Sequence, residues 1–546
     1  MKQLILSLLL IFLNIPSFSA EANQALKELP VQDAGRLKPF DTFARETLQL
    51  IYGKSTFNSQ AATDIVLTWL LAPAAWDEKE FIKINRKDIK ESLKVEVSQS
   101  YFAPKSLFSN ERLPLLIQDL RNKLQNKEKL DPYFQDVQRL ENQLSLYRAL
   151  TMGMAMRLVP PKEGDHWRSV NEFDPTWMDE FGQITKAFIS YVALKERSKE
   201  AGEDLKRADQ DLSAAVNRFQ DRARAENPAL YPSAKDMHTE VHYNLLDPFK
   251  WSWILYLCAA IFLTAVLIQT TPNKTVYRLG WIFVAAGLIL HTYGFLLRVY
   301  LTGRPPVSNM YESVIWVSWG AVLFGLIFEM IYKKVYPLMS ACIVAVICLI
   351  VASIAPNILD PSLQPLEPVL RSNMWLVVHV LTITLSYSAF FLALLMADLG
   401  LIYFLRPGFE QKANELAQTT YRVIQIGVVL LFAGTVLGGI WADYSWGRFW
   451  GWDPKETWAF IAFMGYVAVL HARKGGYIRS FGFLVSAIAA FSLVLMAWYG
   501  VNYVLGVGLH SYGFGGGGVP YVAGFIAIHM IYVGFAITVY KNRKAI

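Results

Sequence analysis

Cysteine is scarce in this sequence. Only three of the 546 residues are cysteine, and all three, Cys258, Cys342 and Cys348, lie in apolar runs. This pattern excludes a disulfide framework and a CxxC metal site. The three thiols are instead predicted to be small buried side chains.

Charged residues are also sparse, and they are unevenly placed. They make up 18% of the chain, whereas soluble proteins average ~25%. Hydrophobic residues make up 53% and are concentrated after residue 250. This excludes a small secreted domain, a disordered chain and a fully soluble enzyme. The formal net charge of +7 does not indicate a nucleic-acid partner, because the basic residues cluster at the ends of apolar runs.

The chain begins with the pattern of a signal peptide, predicted over 1–19. Met1 and Lys2 precede the apolar run LILSLLLIFL, and Ser17-Phe18-Ser19 offers a small-x-small cleavage site. A retained membrane anchor is the alternative. In both cases the residues that follow are exported.

Residues 20–250 are predicted to form an exported, largely helical domain. The stretch contains no apolar run long enough to cross a bilayer. After Phe134, apolar residues recur at helical spacing at Val137, Leu140, Leu144 and Tyr147.

Residues 251–546 are predicted to be a membrane domain. A helix needs ~20 apolar residues to cross the hydrocarbon core, and the sequence offers nine candidates. The fold class is therefore an all-α polytopic membrane protein with about nine transmembrane helices. The candidates are 251–271, 279–297, 313–331, 335–355, 374–397, 423–442, 457–472, 480–502 and 519–540.

The distribution of Lys and Arg fixes the orientation of these helices. If residue 250 lies outside, the inner connections carry thirteen basic residues and the outer connections carry five, as the positive-inside rule requires. Export of the preceding domain demands the same orientation. The C-terminus is then cytoplasmic, while His379, His510 and the connection 441–458 share the exported face. His471 lies at the inner face, and His291 and His529 fall mid-helix.

The outer connection reads WADYSWGRFWGWDPKETW and is unusually rich in tryptophan. It holds Trp441, Trp446, Trp450, Trp452 and Trp458, interleaved with charged residues that include Arg448 and Asp453. An interfacial aromatic belt is one explanation, but a belt is normally scattered over many helix ends. The concentration in one loop favours a platform for a large flat ligand with anionic edges, since indole faces stack and Arg donates hydrogen bonds.

The two outer histidines extend this hypothesis. Neutral imidazole is a common metal ligand, and haem iron has two axial positions. His379 on the fifth helix and His510 before the ninth could approach a porphyrin from opposite faces. A lone membrane histidine that only bonds a neighbouring helix is the alternative for each.

The residues resemble a known family. The string WGRFWGWDPKETW (446–458) matches the tryptophan-rich WWD signature of haem-handling membrane proteins. The flanking strings resemble the CcsA half of the CcsBA (System II) cytochrome c synthases. They are HTYGFLLRVYLTGRPPVSNMYES (291–313), WLVVHV (375–380), LHARKGG (470–476) and GLHSYGFG (508–515). More weakly, GRLKPFDTFARETL (35–48) and HYNLLDPF (242–249) resemble the exported region before CcsA in some fusions.

The resemblance implies a function in cytochrome c biogenesis in the bacterial inner membrane. Non-covalent b-type haem would cross to the periplasmic side and be held there by His379 and His510 as axial ligands, beside the tryptophan loop. His471 would belong to an inner haem site. The protein would act as a haem lyase subunit on apocytochrome c. The CxxCH thiols of that substrate supply the nucleophile, so no catalytic nucleophile is expected in this chain, which has no CxxCH of its own.

The chain departs from the fused family at its beginning, where the resemblance would place additional CcsB helices. The partner of His471 is then either a residue of a separate CcsB/ResB-like membrane subunit, which we favour, or His291. Thiol-reducing factors are a further implied partner. Two other functions stay open: a haem exporter or chaperone that performs no attachment, and a scaffold whose tryptophans form only a belt. His529 is predicted to be structural.

Overall fold

The structure is a computed structural model of the chain. It describes residues 23–128, 130–196, 202–269, 271, 273–356, 358–365, 374–506, 508 and 517–545. The predicted signal peptide and His510 lie outside these residues. The chain divides into two compact units that meet in sequence between Leu245 and Leu246.

The N-terminal unit is mainly helical, as the spacing of its apolar residues predicts. Its helices are α1 Gln24–Lys27, α2 Phe40–Tyr52, α3 Ala62–Leu71, α4 Lys87–Leu93, α5 Pro104–Phe108, α6 Leu113–Gln125, α7 Pro132–Thr151, α8 Pro175–Glu196, α9 Gly202–Glu226 and α10 Ala234–Leu246. The stripe Val137, Leu140, Leu144 and Tyr147 of α7 is buried, which confirms the predicted helix face.

Four short two-stranded antiparallel sheets lie between the helices of this unit. Their strands pair as β1 with β2, β3 with β4, β5 with β6 and β7 with β8. The sequence does not predict them, because most of the strands have only two residues and show no alternating pattern. The strands are β1 Pro30–Asp33, β2 Arg36–Pro39, β3 Thr56–Phe57, β4 Gln60–Ala61, β5 Ile82–Lys83, β6 Tyr101–Phe102, β7 Arg157–Val159 and β8 Arg168–Ser169.

A buried ionic network holds the first hairpin to the helices around it. The side chain of Lys38 is 2% exposed, and its Nζ lies 2.8 Å from Asp33 and 2.6 Å from Glu46. Arg36 pairs in bidentate fashion with Glu240 of α10, at 2.7 and 2.8 Å. Burial raises the pKa of Glu46, against the opposing effect of Lys38. Because each buried charge has a partner, removing one of them leaves the other uncompensated.

The membrane unit is a set of long apolar helices, which confirms the predicted polytopic all-α fold. These helices are α11 Pro248–Ile268, α12 Lys274–Thr302, α13 Met310–Tyr332, α14 Tyr336–Ile354, α15 Met374–Phe404, α16 Glu410–Trp446, α17 Pro454–Lys474, α18 Ser480–Leu495 and α19 Val519–Ala545. The segment Met496–Leu505 continues α18 as a π-helix. The three cysteines are buried, as predicted.

Eight helices within the described residues are long and apolar enough to cross a membrane. The ninth predicted span forms α17, which has 21 residues but is not among the eight. Its ends are polar, with Lys455 and Glu456 in the first turn and Arg473 and Lys474 in the last. These charges shorten its apolar stretch relative to that of the other helices.

Glycines set the spacing of the helices that carry the site. On α16, a Cβ added at Gly427 would lie 2.8 Å from the ring of Phe390, and one at Gly434 would lie 2.9 Å from the backbone of Ile383. Both neighbours belong to α15. Small residues let membrane helices approach closely, and α15 and α16 are therefore packed almost backbone to backbone.

Candidate functional site

His379 lies in the groove that these glycines open. It is on the second turn of α15, and its Nδ1 lies 2.6 Å from the carbonyl oxygen of Gly434 on α16. A Cβ added at Gly438, one turn further along α16, would lie 2.6 Å from Cε1 of the imidazole. The ring therefore fits only because residue 438 has no side chain.

The contact with Gly434 determines the chemistry of the imidazole. A carbonyl oxygen can only accept a hydrogen bond, so Nδ1 is the protonated nitrogen of the neutral ring. Nε2 then keeps its lone pair. A backbone carbonyl on one ring nitrogen is the usual second partner of a metal-ligating histidine, because it fixes the tautomer and the orientation of the ring.

A cluster of tryptophans lies beside this histidine. Trp441, which follows Gly438 on α16, is 1% exposed and packs against Trp375, Val380 and Trp446. The rings of Trp441 and Trp446 meet edge to face, with centroids 4.6 Å apart. Because Val380 is the residue after His379, the structure brings the predicted histidine and the start of the tryptophan loop together.

The loop itself folds back on its own charged residues. Gly447 ends α16 in the left-handed conformation, with φ of 68°. The guanidinium of Arg448 fills the space that a side chain on Gly451 would occupy. Its Nη1 lies 3.9 Å from Oε1 of Glu456, and Oε2 of Glu456 accepts a hydrogen bond from the backbone N–H of Gly451, at 2.8 Å. Within the described residues, Nη1 of Arg448 and Oε1 of Glu456 are buried and have no hydrogen-bond partner.

Large aromatic faces of the loop point outward. Trp452 is 69% exposed and Phe449 is 48% exposed. Trp450 lies between the two, with its ring perpendicular to that of Trp452 at 5.8 Å. Trp458 is half-buried in the first turns of α17. Trp452 also has φ of +56°, a conformation that costs a bulky residue energy and is typical of functional loops.

Asp453 has a structural part in the loop. Its buried side chain caps α17, accepting a hydrogen bond from the N–H of Lys455 at 3.0 Å. Glu456 completes a capping box through the N–H of Asp453, at 3.2 Å. The sequence pattern D-P-K-E, with Pro at the first helical position and Glu at the third, already carries the signal for this cap.

The second predicted ligand, His510, lies outside the described residues. Two residues before it, Gly508 packs against the carboxylate of Asp453 so closely that a side chain there would collide with it. Nζ of Lys455 donates a hydrogen bond to the carbonyl of Trp498, at 3.2 Å, in the π-helix that precedes this segment. The tryptophan loop is thus joined to the chain just before His510.

The other two candidate histidines lie elsewhere. His471 is exposed at the end of α17 opposite the tryptophan loop, with Nδ1 2.8 Å from the carbonyl of Val467. His291 is fully buried in α12, where its Nδ1 lies 3.3 Å from the hydroxyl of Tyr256 and its ring stacks on Phe295. The structure therefore brings neither of them to the tryptophan loop.

Sequence reasoning missed the residues that position the site. Gly434 and Gly438 form a small-xxx-small pair on α16, a spacing that predicts close helix packing. Trp375 lies four residues before His379 and joins the aromatic cluster. No local pattern predicts that Arg448 folds into the loop, since that contact depends on the turn at Gly451.

The arrangement fits a haem group in three respects. A neutral imidazole with a fixed tautomer suits an axial position. Outward aromatic faces suit a porphyrin plane, and the guanidinium of Arg448, whose Nη1 lies near Glu456 but has no hydrogen bond within the described residues, suits an anionic carboxylate at its edge.

Part of the chain matches a family of known proteins. Residues 307–510 match the family model described as Cytochrome C assembly protein. The matched range contains His379, the tryptophan loop and His471, and it ends at His510.

Similar proteins cover different parts of the chain. The chain is 29% identical over 521 residues to Protein NrfI of Wolinella succinogenes, covering 90% of this chain but only 55% of that protein. It is 34% identical over 263 residues to Cytochrome c biogenesis protein CcsA of Synechococcus sp. (strain CC9605), covering 42% of this chain and 86% of that protein. The protein with the same description from Prochlorococcus marinus (strain MIT 9215) is 38% identical over 255 residues.

Proposed function

Because the chain belongs to the CcsA family of cytochrome c biogenesis proteins, we propose that it holds haem at the tryptophan loop and presents it to apocytochrome c. His379 and His510 are the axial ligands in this proposal. The observation that carries it is the hydrogen bond from His379 to the carbonyl of Gly434, at 2.6 Å, beside the Trp441 cluster.

The loop residues have separate parts in holding the ligand. The exposed indole of Trp452 and the rings of Trp446 and Trp450 provide stacking area for the porphyrin. Arg448 offers its guanidinium to a propionate, which would compete with the 3.9 Å contact between Nη1 and Glu456. Asp453 acts through the cap of α17, which fixes where the loop ends, and Trp458 packs at the start of that helix.

The reaction that follows is thioether formation on the substrate. Each thiol of a CxxCH motif adds across one vinyl group of the haem, forming a carbon–sulfur bond and delivering its proton to the other vinyl carbon. The thiols are the nucleophiles, so the chain's own task is to hold the vinyl groups in reach. Positioning of this kind replaces a large part of the entropic barrier. The thiols must be reduced, which gives thiol-reducing factors a place beside apocytochrome c.

The inner site is the part of the proposal that needs a partner. His471 is exposed at the far end of α17 and offers an accessible imidazole. His291 is enclosed by Phe249, Tyr256 and Phe295, which speaks against it as the partner of His471. We therefore favour a separate CcsB/ResB-like membrane subunit, with this chain in the bacterial inner membrane, its N-terminal unit and tryptophan loop periplasmic and its C-terminus cytoplasmic.

The test is to co-express the full chain with a CcsB-like subunit and an apocytochrome carrying CxxCH. We expect purified protein with a bis-histidine b-type absorption spectrum and covalent haem on the acceptor. His379→Ala and His510→Ala should each abolish both, whereas His166→Ala, at an exposed position of the N-terminal unit, should change neither.

Other outcomes would assign a different function. Bound haem that is never attached to the acceptor would favour a haem exporter or chaperone. A colourless protein from haem-replete cells would leave the tryptophans as an aromatic belt. Full haem and activity in both histidine variants would overturn the axial assignment.

A further inference from the structure

Helix α19 is loosely embedded in the membrane unit. Only 11% of its apolar stretch is buried inside the structure, compared with 67% for α15. Ile528, Ile531 and Phe535 are all more than half exposed. Lipid tails are as apolar as these side chains, so burying the side chains against other helices brings no hydrophobic gain. Van der Waals packing and polar contacts must therefore hold such a helix in place.

One stripe of α19 makes polar contacts with α15. Nε2 of His529 lies 3.3 Å from Oδ2 of Asp398, and the hydroxyl of Tyr532 donates to the backbone carbonyl of the same Asp398, at 2.9 Å. Further along the helix, Arg543 donates to the carbonyl of Phe404, at 2.9 Å. Among the described residues, His529 is the only ion-pair partner of the Asp398 carboxyl, whose Oδ1 is buried without a hydrogen-bond partner.

The contacts of His529 determine the charge of the pair. Its Nδ1 lies 2.9 Å from the carbonyl oxygen of Phe525, one turn earlier. Both ring nitrogens therefore face oxygen acceptors, and each contact needs a hydrogen. Either the imidazole carries two protons against a carboxylate, or the carboxyl carries one of them. In both cases the pair has no net charge, which makes a carboxyl group tolerable inside a membrane.

We propose that Asp398 and His529 form a polar clasp that holds α19 on α15. The clasp matters for the haem site, if the proposed function is correct, because α15 carries His379 and α19 follows the His510 segment. Asp398 and His529 are then positioning residues, which act on the haem site only by limiting how far the two ligand-bearing segments can separate. The hydrogen shared between Nε2 and Oδ2 is sufficient to hold the two helices together, whichever of the two groups carries it.

The clasp can be measured without haem. Phe391 of α15 and Phe525 of α19 have ring centroids 6.3 Å apart, so Phe391→Cys and Phe525→Cys place two thiols within reach of a short bifunctional methanethiosulfonate. The full chain would be used in membranes, with Cys258, Cys342 and Cys348 replaced by alanine. Cross-linked chain is then quantified on gels for each clasp variant.

Asp398→Leu and His529→Leu should each lower the cross-linking rate about 3- to 20-fold, the range expected for losing one interhelical hydrogen bond. Asp398→Asn should cross-link at a rate near that of the parent, because its amide can donate a hydrogen bond to Nε2 of the neutral imidazole. The double variant Asp398→His with His529→Asp, which exchanges the two side chains, should restore the cross-linking rate that the single leucine variants lose. Thr538→Val, at an exposed position of α19, is the control and should change nothing.

Parent-like cross-linking in Asp398→Leu would overturn the clasp. So would an Asp398→Asn variant as slow as Asp398→Leu, since the pair would then act through charge. If the leucine variants fail to fold, the exchange variant decides: cross-linking restored supports the clasp, and cross-linking lost overturns it. Absorption spectra of the same set separate the two proposals. If cross-linking behaves as expected but no variant, the parent included, binds haem, the proposed function fails and the clasp stands.

Discussion

The imidazole of His379 rests on Gly438 so closely that a methyl group there would lie 2.6 Å from Cε1 and 2.8 Å from Nδ1. The lack of a side chain at Gly438 of α16 therefore allows His379 of α15 to take this position. The hydrogen bond to Gly434 depends on the same approach.

Gly438→Ala should therefore turn the ring and break its contact with Gly434. We expect a loss of about 1–3 kcal/mol from overpacking and a lower haem content per chain, measured by thermal unfolding and by the pyridine haemochrome spectrum. Gly524→Ala is the matched control, because no atom of the described residues beyond its own helical turn lies within 4 Å of a Cβ at that position. A Gly438→Ala protein with the parent's haem content would contradict the assigned contact.

Trp452 should show opposite effects on stability and on ligand retention. Its φ of +56° is unfavourable for a residue with a Cβ, by about 1–2 kcal/mol. Trp452→Gly should raise the unfolding temperature of the haem-free protein, while the loss of an exposed indole face weakens haem retention. The two quantities are measured on the same preparation, with and without added haem. A fall in both would mean that the indole supports the fold of the loop instead.

Asp453 allows the cap to be separated from direct ligand binding. Asp453→Asn keeps an oxygen that can cap α17, so we expect stability and haem content near those of the parent. Asp453→Ala removes the cap and should cost about 0.5–2 kcal/mol, with reduced haem binding as a consequence of a displaced loop. If the asparagine variant loses haem without losing stability, the carboxylate acts on the ligand directly.

Lys38 tests the ionic network of the N-terminal unit. Lys38→Met leaves Asp33 and Glu46 without their shared cation, and we expect destabilisation by about 1–3 kcal/mol, because both carboxylates keep part of their exposure to water. The comparison is Lys105→Met, which breaks an ion pair of similar length with Glu78 in which both side chains are more than 60% exposed; water screens such pairs, so they contribute little to stability. Thermal unfolding followed by near-ultraviolet circular dichroism measures the unfolding temperature of both variants. Equal decreases in that temperature would contradict the role given to burial.

The sequence predicts the helices of the membrane unit well, because each consists of a long apolar run between polar connections. It also places His379 near the tryptophan loop through the alternation of helix directions, without knowledge of any contact. The sequence does not predict contacts between residues that are distant in the chain, because no local pattern indicates them. The tautomer of His379 depends on a carbonyl 55 residues away, and no sequence pattern indicates that Arg448 packs against Gly451.

Other features were within reach of sequence reasoning. The capping box of Asp453 follows a known pattern, and the lone Asp398 in an otherwise apolar helix is a signal of a buried partner. The pairing of Asp398 with His529 is less accessible, since 131 residues separate the two in the chain and only the fold brings them within 3.3 Å.

Helix α16 has 37 residues, which at ~1.5 Å per residue makes a rod of about 55 Å. The hydrocarbon of a bilayer is only ~30 Å thick, so the rod outreaches it unless strongly tilted. Its first turns are polar, and Trp441 to Trp446 form its last. In the proposed function, the tryptophan loop at this end of the rod lies at the level of the headgroups, where apocytochrome c reaches it without entering the lipid.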